Sequence, residues 1–223
     1  MKIAAVLVGL ALGPTAVVAQ PRKVEVPRTE QTIGSWVISC AVDPMTDAQV
    51  CRMRHKLWLA VPGEGRPGMA LEVQSRGDQL VPVVTVRELS LSTALSGLLA
   101  LTATAQIRFD SAPMAELPCM LDGTSVICAP AKADLPSLAD QLAKAKTVLV
   151  RFRAVGNLPL PAPDGPLALD LDHTQDALVR YRLSGPEVAP AQSSLAQDLR
   201  DSAERLMRRL GVPGMEQQPA QPK

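Results

Sequence analysis

Four cysteines, two histidines and a pair of closely spaced aspartates are the residues whose types and spacing could do chemistry in this chain. Cys40 and Cys51, like Cys119 and Cys128, lie about ten residues apart, too far for the C-x-x-C pair of a thiol–disulfide catalyst. The spacings fit no tetrahedral zinc site either, and histidines are scarce. Two disulfides are the remaining use for four cysteines. Of the three pairings, sequence proximity prefers Cys40–Cys51 and Cys119–Cys128, and each closure stabilises by roughly 2.5–3 kcal/mol in the chain-entropy model. Asp170, Asp172 and His173 offer two carboxylates and an imidazole, a donor set able to hold a divalent metal. Their plainer use is a solvated strand end leading into a helix capped near Asp172. His55 falls on an apolar strand face and reads as a packed core histidine, not a general base. No serine, histidine and carboxylate group into a triad. The chain is therefore expected to be no enzyme, with no catalytic residue, no cofactor and no resident metal.

The elements that hold these residues follow from periodicity. Trp36, Ile38 and Cys40 alternate along one run, and Cys51, Met53, His55, Leu57 and Leu59 along the next, each with one apolar face. Folding the runs antiparallel, with Cys40 facing Cys51, sets Ile38 against Met53 and Trp36 against His55 on a single face. The second cysteine pair brackets Asp122-Gly123, a hairpin signal. A two-residue turn there would leave Cys119 opposite Val126, so a four-residue loop, Asp122 to Ser125, is expected, pairing Cys119 with Cys128. Ser75-Arg-Gly-Asp78 reads as a further turn between strands 69–74 and 80–87, where Pro82 suggests an edge or a bulge. Thr102 to Phe109 alternates with Ala103, Ala105, Ile107 and Phe109 inward, and Val148, Val150 and Phe152 do the same before a last strand of Leu167, Leu169 and Leu171. Asp134 can cap a helix to about Lys146, and a short helix spans 173–182. Residues 89–101 are apolar without a period and allow a buried helix or an extended segment.

The termini differ from this middle. Lys2, the apolar run Ile3–Leu12 and the small residues before Gln20 have the order of a signal peptide over 1–19. The run is shorter than the about 20 residues a membrane span needs. Residues 20–32 read as a loose leader, 33–184 as the domain, and 185–223 as linker, helix and tail. Ser194 can cap a helix to Leu210, with Leu195, Leu199, Leu206 and Leu210 on one stripe as core packing or as a docking face. Without Lys2 the chain carries 22 basic and 22 acidic residues, and its only aromatics are two tryptophans, two phenylalanines and one tyrosine. Neither the charge nor the stacking surface of a nucleic-acid binder is present. Twenty prolines among short alternating runs favour strands and turns. The expected fold is mainly β: an antiparallel sandwich or flattened barrel of eight or nine strands, with a few peripheral helices, two hairpin disulfides and a core that includes Trp36, His55, Phe109 and Phe152.

Taken together, the signal peptide, Trp36 with Cys40 and Cys51, the strand ending in Phe109-Asp110, the Cys119/Cys128 pair and the segment Leu169-Asp-Leu-Asp-His-Thr-Gln-Asp-Ala-Leu178 resemble the invasion-associated locus B family of alphaproteobacteria, the similarity of the domain running from about Ile33 to Arg182. The chain departs from that pattern at Asp172 and His173, where a glycine and a phenylalanine are usual, and in its helical tail. The resemblance implies an exported β-rich domain linked by name to host-cell invasion, without a known enzymatic activity. The function expected is binding of a protein partner in the periplasm or envelope, with room for peripheral membrane association. Binding of a small molecule or metal is the alternative.

Overall fold

The structure, a computed structural model, describes residues 26–64, 66–87, 89, 103–153 and 165–185. The first hairpin shows how the chain is built. Strand β2 (Trp36–Val42) and strand β3 (Gln49–His55) pair antiparallel with Trp36 opposite His55, Ile38 opposite Met53 and Cys40 opposite Cys51, the register that period-two alternation requires. Cys40–Cys51 is bonded. Asp43 opens the loop between them, its carboxylate accepting the backbone N–H groups of Met45 (2.8 Å) and Thr46 (2.9 Å), which hold it below its usual pKa. Strand β3 stops at His55 instead of running to Leu59. The Leu57 N–H turns back to the imidazole of His55, so Leu57, expected on the apolar face, is exposed, while Leu59 is buried again.

Strand β1 (Arg28–Ile33) precedes this hairpin and pairs with β2, Ile33 lying opposite Trp36. These residues fall within the stretch expected to be a loose leader. Their side chains are almost all exposed, so no burial pattern marked the strand; its order comes from pairing with β2. Strands β4 (Gly68–Arg76) and β5 (Gln79–Arg87) follow, joined through Gly77, whose φ of +60° suits the first central position of a hairpin turn. Pro82 lies in an interior strand. Pairing of β5 with its other neighbour begins only at Val84, so the proline sits where that ladder has ended.

Strands β6 (Thr104–Phe109), β7 (Ala115–Asp122) and β8 (Ser125–Cys128) form the middle of the sheet. Cys119 pairs with and is bonded to Cys128. The expected four-residue loop is tighter, because Asp122 and Ser125 also pair and leave Gly123-Thr124 as the turn, with Gly123 at φ +57°. Helix α1 (Leu135–Lys144) comes next. Asp134 occupies its N-cap position but makes no side-chain cap bond, since the chain enters the helix from a 3-10 turn at Lys132–Asp134. Strand β9 (Thr147–Arg153), strand β10 (Leu167–Asp170) and helix α2 (Thr174–Leu183) complete the described chain.

All ten strands belong to one sheet, in the order β1-β2-β3-β4-β5-β8-β7-β6-β9-β10, and every neighbouring pair is antiparallel. β1 and β10 are not laddered to each other, so the sheet is a flattened, sandwich-like curl and not a closed barrel. One apolar cluster nevertheless runs from Trp36 and Met53 through Leu71, Val84, Ile107, Phe109 and Phe152 to Leu169, Leu171 and Tyr181. The concave face thus forms a continuous core. A second cluster, Val81, Val83, Ile127 and Ala129, lies on the opposite face of β5 and β8, where Leu135 and Ala139 of α1 cover it. Burial on both faces explains why β4 and β5 carry no exposed side chain along most of their length. On the outer face of β6, Gln106 is buried although alternation predicts it outside, because Arg151 and Glu116 bracket its amide from the neighbouring strands.

Candidate functional site

Two loops far apart in sequence meet at one end of the sheet: the Gly34–Ser35 turn between β1 and β2, and the segment 170–174 that joins β10 to α2. Gly34 has φ +57°, and a Cβ there would lie 2.3 Å from the Asp172 carbonyl oxygen. Only glycine admits that approach. The Ser35 N–H donates to the Asp172 carbonyl (3.0 Å), and the Asp172 N–H donates to the Ser35 hydroxyl (3.2 Å). One residue on, Trp36 donates its Nε1–H to Thr174 Oγ1 (2.8 Å), and the Thr174 hydroxyl donates to the Leu171 carbonyl (2.8 Å). Trp36 and Thr174 are both buried, so each polar group is satisfied out of water's reach.

His55 belongs to the same junction. Its Nε2 lies 2.9 Å from the Asp170 carbonyl, which can only accept, so the ring hydrogen is on Nε2. Its Nδ1 accepts the Leu57 N–H at 3.1 Å. The ring stands edge-on to Trp36, with centroids 5.5 Å apart. Both ring nitrogens are engaged, and the residue is buried. Next to it, α2 closes over β3: the Tyr181 hydroxyl donates to the Cys51 carbonyl (3.2 Å), and the Cys51 N–H donates to the Gly185 carbonyl (3.2 Å).

The metal-ligand reading of Asp170, Asp172 and His173 meets a different geometry. All three side chains are exposed, and no cluster of three or more histidine, cysteine or acidic residues forms a metal cage among the described residues. Asp170 and Asp172 serve the junction through their backbone carbonyls. His173 takes the left-handed conformation (φ 56°) at the N-cap of α2 and places Nδ1 3.1 Å from Asp176 on the helix's own first turn.

A second polar constellation ties the far end of β6. Asp110 (φ 43°) accepts the Thr147 N–H (2.9 Å), the Thr147 hydroxyl (3.0 Å) and the Lys146 N–H (3.2 Å). These backbone donors hold its carboxyl below the usual range. Phe109 and Phe152, expected in the core, are there. The Arg76-Gly77-Asp78 tripeptide forms the β4–β5 turn, and burial lowers the pKa of the Arg76 guanidinium. Leu195, Leu199, Leu206 and Leu210 lie outside the described residues, as do the signal peptide expected over 1–19 and residues 90–101.

No family model, curated protein or solved structure matches this chain.

Apart from the junction, α2 and the first three strands border a partly open pocket of about 160 Å³ lined by Thr29, Glu30, Gln31, Ile38, Cys40, Gln49, Arg180 and Ser184, five of them exposed. At the tip of the first hairpin Val42 and Met45 are exposed, Met45 by 90%, and Leu183 at the end of α2 is exposed by 77%. Ser35, Thr174 and Tyr181 carry the junction, yet sequence periodicity gives none of them a role. The available signals are weak: a glycine just before a strand that starts with tryptophan, and a hydroxyl residue at a helix start.

Proposed function

We propose that this chain is an exported, non-catalytic protein of the periplasm or cell envelope that acts by binding another protein, in the manner implied by its resemblance to the invasion-associated locus B family. The observation that carries the reading is what becomes of its reactive-looking groups. His55 is buried with both ring nitrogens engaged by backbone partners, and Asp170 and Asp172 work through their carbonyls. The two disulfides are hairpin clasps that favour an oxidising compartment outside the cytoplasm. What the domain offers a partner is surface, including the apolar side chains of Met45, Val42 and Leu183 around the hairpin tip. Host-cell invasion and envelope assembly are the two settings in which such a module would act.

The test is recovery of partners from envelope extracts of the native organism with the full-length protein as bait, before and after chemical crosslinking. A reproducible partner lost on substituting Met45→Asp supports the reading. Absence of any partner under both conditions overturns it. Calorimetric titration with divalent metals separates the alternative, since metal-dependent heat abolished by Asp172→Ala would reassign the site to ligand binding.

A further inference from the structure

The edge of the sheet at β1 combines two features that seldom coincide by chance. Among the described residues its only strand neighbour is β2, so one side of the β1 backbone carries N–H and C=O groups with no ladder partner. In an antiparallel strand alternate residues direct both groups to the same side, which leaves about three of the six residues with a free donor and acceptor. Five of those six residues are exposed, and the sixth is half-buried. Beside this edge lies the partly open pocket, lined by Thr29 and Gln31 of β1, Cys40 of β2 and Arg180 of α2 among others. The edge supplies backbone pairing, and the cavity can receive one side chain of an added strand. Those are the two components by which a sheet edge captures an extended peptide: ladder bonds for affinity and an alternate-position pocket for selectivity.

The chemistry of the cavity names the side chain. Arg180 donates its Nε–H to Gln31 Oε1 at 2.9 Å and has no acidic partner among the described residues. It stands in the last turn of α2, where the remaining guanidinium donors suit a bidentate carboxylate. Glu30 also borders the pocket, but it pairs with Ser39 while Thr29 and Gln31 pair with Cys40 and Ile38. Strand alternation therefore directs its carboxylate to the other face, and it makes no ion pair with Arg180. A second copy of β1 offers only Thr29, Gln31 and Ile33 on the matching face and no carboxylate. We propose that the β1 edge is a docking strand for an extended acidic segment of another protein, one of whose carboxylate side chains enters the cavity to meet Arg180. The proposal rests on the protein-binding reading above and narrows it to one edge and one ligand class.

The probe is a fluorescein-labelled decapeptide of alternating threonine and valine with a central glutamate, titrated by fluorescence anisotropy against the oxidised full-length protein. N-methylation of the peptide backbone at one set of alternate residues should weaken binding about tenfold, and at the other set hardly at all, because only one set faces the edge. Replacing the glutamate by glutamine should cost about fivefold, and Arg180→Glu should shift preference to a lysine peptide. Amide hydrogen exchange at the β1 amides that face away from β2 should slow only when peptide is present. The proposal is overturned by absence of binding at millimolar peptide, by indifference to N-methylation, or by unchanged preference in Arg180→Glu. Protection of the outward-facing β1 amides, those not donated to β2, before peptide is added overturns it as well: concentration-dependent protection assigns the edge to a second copy, concentration-independent protection to the chain's own tail. A native envelope partner that binds wild type and Arg180→Glu alike would remove the edge as its site and leave the general protein-binding reading intact.

Discussion

Replacing Gly34 by alanine tests the closure of the sheet at its most confined point. Two costs add. A non-glycine residue at φ +57° costs about 1–2 kcal/mol in the left-handed region. The new Cβ would also sit 2.3 Å from the Asp172 carbonyl oxygen and 2.7 Å from the His173 Cβ. Both neighbours are tied in place, Asp172 by reciprocal bonds with Ser35 and His173 by its position at the head of α2. Forced displacement of packed backbone costs typically about 1–3 kcal/mol. Gly34→Ala should therefore lose about 2–5 kcal/mol, or about 5–15 °C in melting temperature for a domain of this size. Gly77→Ala is the matched control, since Gly77 has φ +60° but meets nothing within 4 Å, and it should lose only the conformational part, about 1–2 kcal/mol. Urea unfolding followed by tryptophan fluorescence reads both, as Trp36 is adjacent to the substitution. If Gly34→Ala proves no more costly than Gly77→Ala, the close approach of the two loops is not a constraint and the reasoning fails.

Thr174→Val keeps the shape but removes the acceptor for Trp36 Nε1–H and the donor to Leu171, so equilibrium unfolding should show a loss of about 2–4 kcal/mol with a red-shifted native emission of Trp36. Asp110 makes the domain pH-sensitive in a defined direction. Its folded pKa lies below the ordinary value of 3.8, so its contribution is complete above that value and disappears as pH falls through the folded pKa. The stability difference between wild type and Asp110→Asn should be constant near neutrality and shrink below about pH 3.8, as measured by urea midpoints across the acid range. Of the two disulfides, Cys119–Cys128 is wholly buried at both ends, whereas Cys40 is half-buried and lines the cavity. Mild reductant followed by alkylation and mass spectrometry should therefore label Cys40 and Cys51 first; equal labelling of both pairs would contradict the burial difference.

The register of both cysteine hairpins was legible in the sequence because two independent constraints coincide, side-chain alternation and the short reach of a disulfide. Where only one constraint operates, the reading drifts. Strand β1 has no apolar alternation and is ordered by its partner, so its residues read as a loose leader. Gln106, Glu72 and Thr85 are buried on faces that alternation marks as outer, because neighbouring side chains cover them; for Glu72 the cover includes the Arg87 guanidinium. His55 was legible as a core residue from its place opposite Trp36, but its partners were not, since both are backbone groups, one from the turn that ends β3 early and one from β10, 115 residues away. The Asp170, Asp172 and His173 cluster shows the same limit in reverse. Its side chains attract notice in the sequence, while the fold uses its main chain.

The bond between Trp36 and Thr174 joins positions 138 residues apart, whereas the cysteine clasps span only 11 and 9. A chain produced from its N-terminus can oxidise the first clasp early and set His55 against Trp36, yet the Trp36 indole N–H meets its acceptor Thr174 only when nearly the whole domain has emerged. Loop closure over that distance is slow compared with forming a hairpin. Truncation before residue 174 would leave a stapled first hairpin whose buried indole N–H lacks its acceptor, an unpaired donor in the core.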